Sequence, residues 1–184
     1  MRPFFVIPLT LASTLLIASP SSQEQIALKG NQISSALLQK LGGELKNQMQ
    51  TAGVMGALHF CSQNALTLTE QVAKESKTSI KRISINYRNP VNKANAEETT
   101  LLQEWEKLVK NGQPLPSHKV VTISENSAMF YKPIVINNEA CLKCHGNVEG
   151  DLAKVIKATY PEDRATGYKM GDLRGMIAVT IERD

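Results

Sequence analysis

The 184-residue chain predicts an α+β fold, with helices first and then mostly antiparallel strands, the helices packed to one side. Three observations predict it. Apolar residues recur at helical spacing from Ile26 to Val72, strand-like runs fill much of the sequence after Ser79, and two of those runs are joined by a connection of hairpin length. After an N-terminal segment, residues 23–184 are of a size for a single domain with its own core.

Residues 1–22 read as a signal peptide. Arg2 supplies the positive end, and Phe4 to Ala18 is an apolar run interrupted by Pro8 and softened by Thr and Ser. This falls short of the roughly 20 apolar residues a membrane-spanning helix needs. Small residues at Ala18, Ser19, Ser21 and Ser22 suit cleavage between Ala18 and Gln25; an uncleaved anchor is the alternative. The expected location is therefore outside the cytoplasm, in the periplasm or thylakoid lumen.

The elements follow in order. Ile26, Ile33, Leu37, Leu41 and Leu45 share one face of a long helix that Gly42-Gly43 would bend. That face either packs on the domain or pairs with a second copy as a homodimer. Val54, Leu58, Cys61, Ala65, Leu68 and Val72 form the apolar stripe of a second helix. Ser79 to Tyr87 alternates as a strand and ends in the turn Arg88-Asn89-Pro90. Asn95 ahead of Glu97-Glu98 opens a helix whose buried face is Leu101, Leu102, Trp105, Leu108 and Val109, up to Gly112. Strands at Lys119 to Ser124 and Ala128 to Ile136 are joined through Glu125-Asn126-Ser127. Asp151 to Thr159 is a short helix, and Gly175 to Ile181 is the closing strand, with Ile177, Val179 and Ile181 on one face.

Between the third strand and that short helix stands Cys141-Leu142-Lys143-Cys144-His145, a C-x-x-C-H run after an Asn137-Asn138 turn. The pattern is that of c-type haem attachment: two thiols spaced for the vinyl groups, and an imidazole tethered beneath the iron. Gly146 lets the chain turn away. At this chain's own Cys and His frequencies the run would arise by accident in about one such chain in a thousand, which makes it a signal. A structural zinc site wants four ligands, usually from two spaced pairs, and no second pair is present. A thioredoxin-like dithiol belongs in a βαβ setting that the surrounding pattern lacks. The export signal agrees with haem, since such attachment occurs outside the cytoplasm.

One cysteine remains. An unpaired thiol in an exported protein needs an account, and Cys61 lies on the apolar stripe of its helix. It is either a small buried hydrophobe or an iron ligand. His59, two residues back, is rotated about 200° from Cys61 and so points away from that stripe. Met55, Met170 and Met176 are further candidate ligands, and an open sixth position is a further alternative.

The net charge of +4 is spread through mixed stretches such as Glu97 to Lys110, without a basic run or interleaved aromatics, so nucleic acid is not an expected partner. No repeat or low-complexity segment is present.

These residues together resemble a family of exported c-type haem proteins with a PAS-like fold, found in cyanobacteria and proteobacteria and classed as a domain of unknown function. The resemblance rests on Cys61 in its helix, Arg88-Asn89-Pro90 with Asn92, Cys141 to Gly146, and Pro161-Glu162-Asp163-Arg164-Ala165-Thr166-Gly167-Tyr168 followed by Gly171 to Gly175. It implies one covalent haem c on a small antiparallel sheet, with His145 and Cys61 as axial ligands. Arg88 would then shape a loop against the haem or pair with a propionate, against the plain alternative of an exposed turn residue. Tyr160 and Tyr168 would lie near the haem edge or simply pack.

Two functions follow as expectations: a redox or gas sensor acting through a partner protein, and a low-potential electron-transfer cytochrome. In sensor kinases and chemoreceptors of this family the domain precedes a membrane span; here the sequence stops at Asp184, so a signalling partner is expected. Ligation on both faces leaves no position for a substrate, so an enzyme is not expected.

Overall fold

A computed structural model describes residues 22–182 of the chain. Its elements are α1 (Ser22–Glu75), β1 (Ser79–Ile83), a short 3₁₀ turn (Pro90–Asn92), α2 (Ala96–Lys110), β2 (Lys119–Ser124), β3 (Ser127–Val135), α3 (Glu139–His145), α4 (Gly150–Thr159) and β4 (Leu173–Glu182). The expected signal peptide lies outside the described residues except for Ser22, which already opens α1. Among the described residues no helix is long and apolar enough to cross a membrane.

The two predicted N-terminal helices form one run broken at Gly53, where φ is 66° and ψ is −169°. A side chain is strained in that backbone region, so glycine is the residue that can take the corner. The bend expected at Gly42-Gly43 is absent: both glycines stay helical. A Cβ added at either would meet open space. Beyond Gly53 the chain folds back, bringing Lys40 Nζ to 3.5 Å from Glu75 Oε1, two residues a straight helix would hold about 50 Å apart.

The strands form an antiparallel sheet in the order β1-β4-β3-β2. Strand β4 is buried along almost its whole length, the mark of a strand covered on both faces. On one face Ala128, Phe130, Ile177, Val179 and Ile181 meet Ile26, Ile33, Leu37 and Val72 of α1. On the other, Ile83, Tyr131, Met176 and Ala178 meet Leu101, Leu102 and Trp105 of α2. The expectation of helices on one side is thereby corrected: the apolar residues at odd positions of β4 are joined by Met176 and Ala178 at even ones, and the second set needs its own cover. Each of the Ile, Leu, Val, Met and Phe side chains among them contributes about 1.5–3 kcal/mol by leaving water.

The apolar stripe of α1 before Gly53 is used on the chain's own sheet, the packing alternative of the two expected for it. At Gly30 the helix backbone lies directly against the Phe130 ring, where even a Cβ would collide. Helix α2 begins in a capping box: Asn95 Oδ1 accepts from Glu98 N at 2.8 Å, and Asn95 N donates to Glu98 Oε2 at 2.8 Å.

Candidate cofactor site around the Cys-x-x-Cys-His helix

Strand β3 ends beside the loop before β4, with Ile136 N donating to Asp172 O at 2.9 Å. Asn138 then caps α3, its Oδ1 accepting from Ala140 N at 2.8 Å. The motif is therefore helical, where the sequence indicated only the Asn137-Asn138 turn ahead of it. Cys141, Cys144 and His145 stand at i, i+3 and i+4, so all three side chains leave the helix on one side. Gly146 closes it, with its N–H on Leu142 O at 2.9 Å.

His145 is fixed by the loop that follows α4. Its Nδ1 lies 2.7 Å from Ala165 O; a carbonyl can only accept, so Nδ1 carries the proton and the neutral ring keeps its lone pair on Nε2. Burial, with Arg174 and Arg88 nearby, lowers the imidazolium pKa to about 3, so the ring is neutral over the physiological range. Backbone bonds hold the same loop in place: Tyr168 N to His145 O and Gly167 N to Gly146 O, both 2.9 Å. The rings of His145 and Tyr168 meet edge to face, centroids 6.1 Å apart.

Arg88 clamps this arrangement. Its Nε donates to Asp163 Oδ1 at 3.1 Å, and its Nη2 reaches Asp163 Oδ2 at 3.3 Å, Cys144 O at 2.7 Å and Ala165 O at 3.1 Å. With its side chain 11% exposed and that of Asp163 6%, this is a buried ion pair, and the reading of Arg88 as an exposed turn residue is corrected. These donors are spent on protein acceptors, so Arg88 shapes the loop.

Cys61 comes to the site from α1, which packs against α3 and α4. Burial pushes its thiol up and Cys144 pushes it further, while Arg82 and Arg88 pull it down. The Cys144 thiol is likewise raised, first by burial. All three cysteines are free thiols. Tyr160, which ends α4, is half-buried in the same neighbourhood; burial and then Cys61 raise its hydroxyl. His59 is exposed beside Gln63, away from the site as the helical rotation predicts. Met55 and Met170 are exposed, and Met176 is buried in the core on the α2 face.

The structure adds residues that the sequence did not single out. Arg174 Nη1 donates to Ser84 Oγ at 2.9 Å and Asn86 O at 3.1 Å, and its guanidinium lies 5.4 Å from the centroid of the Tyr168 ring. Arg82, paired across the sheet with Ile177, lies on the α1 face; its Nε is buried without a hydrogen-bond partner. The available signal was its i+2 spacing from Ile80, which puts an arginine on an apolar face. Among the described residues no group of three or more His, Cys, Asp and Glu side chains is placed to hold a bare metal ion. What the site offers is an imidazole with a free Nε2, a thiol arriving from another helix, and two thiols side by side on α3.

The Tll0287-like family model matches residues 12–182. The fold is similar to the crystal structure of the cyanobacterial heme-protein Tll0287, with a TM-score of 0.61 and 20% identity over 91% of this chain and 98% of that one. A comparison with curated proteins gave no match. The family match takes in α1 with Cys61, the Cys-x-x-Cys-His helix and the last strand alike, and by it the chain belongs to the Tll0287-like family.

Proposed function

We propose that this protein binds one haem c, covalently through Cys141 and Cys144, with His145 and Cys61 as axial ligands, and acts as a redox or gas sensor through a partner protein. The observation that carries the reading is the convergence of Cys61 on α3 while the Ala165 carbonyl fixes the His145 ring with Nε2 free. The heme-protein Tll0287 lends the fold precedent.

The residues fit such a group. Both α3 thiols are unbridged, so each S–H can add across a vinyl double bond, sulfur to one carbon and hydrogen to the other. His145 presents its lone pair in a fixed orientation, the usual arrangement for a ligating imidazole whose other nitrogen donates to a carbonyl. Cys61 would approach from the opposite element. A haem iron supplies a one-electron couple, and a site for a diatomic gas when one axial position is open. An anionic sulfur favours ferric iron, so Cys61 would lower the potential of a bound haem and would be held less firmly once that haem was reduced. Its release would move a helix that turns at Gly53 and is anchored at Val72, an element able to take two positions. In this reading the protein is not an enzyme. It is exported to the periplasm or thylakoid lumen, with the N-terminus either cleaved or kept as an anchor.

Haem should stay with the polypeptide through acid-acetone extraction and give a c-type pyridine haemochrome; extractable haem, or stoichiometric zinc, overturns the reading. Cys61→Ser should abolish the low-spin thiolate spectrum and raise the potential, while His59→Ala should do neither. A thiolate retained in both oxidation states, with no binding of carbon monoxide, would leave an electron carrier in place of a sensor.

A further inference from the structure

We propose that Arg82 is the residue that receives a propionate carboxylate of the haem. This rests on the haem reading above and assigns a role to a side chain that reading does not use. The arginines Arg82, Arg88 and Arg174 act electrostatically on the site's groups. Arg88 spends its Nε and Nη2 on Asp163, Cys144 O and Ala165 O, and Arg174 bonds Ser84 and Asn86 O beside the Tyr168 ring. Arg82 alone of the three has a buried Nε–H that no atom of the described residues accepts.

A buried donor left unmade costs about 1–3 kcal/mol, and more when the group is charged. Two carboxylates that lie well buried among the described residues are already engaged. Asp163 is held by Arg88, and Glu98 is held by Lys81 and the α2 cap on the far face of the sheet. The groups whose charges reach Arg82 are the Cys61 thiol from α1, Tyr160 from the end of α4 and Arg174 from β4. In the loaded protein Cys61 would be occupied by the iron, so the acceptor must arrive with the cofactor. The anionic groups of haem c are its two propionates, and a guanidinium fork matches a carboxylate in shape and charge. Burial disfavours the Arg82 cation as the protein stands, and an incoming carboxylate reverses this.

Resonance Raman spectra and potentiometry of the haem-loaded full chain test this assignment. Arg82→Gln should move the propionate bending band to the position of an unbonded carboxylate and lower the midpoint potential, because a cation near the iron is lost. The sulfur-to-iron charge-transfer band should stay at its wild-type position, and Arg82→Lys should restore part of the potential. Wild-type protein unfolded in urea keeps covalent haem, so it gives the unbonded band from the same molecule even if Arg82→Gln fails to fold. An unchanged propionate band in Arg82→Gln, or in unfolded wild type, overturns the assignment. So does a change confined to the charge-transfer band, which would mean that the guanidinium serves Cys61. Wild-type protein that purifies without covalent haem removes the underlying reading as well, whereas haem-loaded protein indifferent to Arg82 removes this inference alone.

Discussion

One carbonyl oxygen, that of Ala165, accepts from both His145 Nδ1 and Arg88 Nη2, so the imidazole is only as well placed as the Arg88–Asp163 pair allows. Asp163→Ala should cost about 3–5 kcal/mol, since it strands a buried guanidinium, and a lowered urea midpoint would register it. Asp163→Asn, which keeps an acceptor, should cost less. The Cys141 to His145 run was legible in the sequence because its chemistry is contiguous. Cys61 was legible as a thiol on the apolar side of its helix because helical spacing carries that information locally, and it is half-buried. The role of Arg88 and the solitude of Arg82 were not, since each depends on partners fixed by the meeting of α3, β1 and the loop after α4.

At the scale of elements, Gly53 sets the course of the segment carrying Cys61. Gly53→Ala should cost about 1–3 kcal/mol through its backbone conformation. A thermal melt measures that loss, and the fraction of low-spin thiolate signal in the same variant shows how far Cys61 is displaced. Asn95→Ala should cost about 1 kcal/mol through the lost α2 cap, with the thiolate signal unchanged, because α2 lies on the opposite face of the sheet. The α2 start at Asn95 and the strands β2, β3 and β4 were legible to within a few residues, since caps and alternation are local signals. The corner of α1 was not. A glycine pair advertises freedom, and only the packing of both halves on one sheet shows which glycine uses it.

In the molecule as a whole, neither of the two cores contains Cys61, Cys141, Cys144 or His145. Replacing both Cys141 and Cys144 by Ser should therefore leave far-UV circular dichroism close to wild type and unfolding cooperative, although under the proposed reading covalent haem would be lost. The fold class was legible from the order of periodic segments, whereas the two-sided cover of the sheet was not, because an apolar residue does not announce which helix will meet it. The place of β4 between β1 and β3 has a further consequence, in time. Its register joins Ser79 to Thr180, partners from opposite ends of the domain, whereas the β2–β3 hairpin closes locally. Non-local pairing is the slow part of folding, so the wall that carries Arg82 is completed late. Under the proposed haem reading, the α3 thiols would until then be open to attachment while Cys61 had yet to arrive. In stopped-flow refolding of the haem-loaded chain, helical dichroism should recover first and the thiolate absorption last, making the colour of the protein a clock for the closing of its sheet.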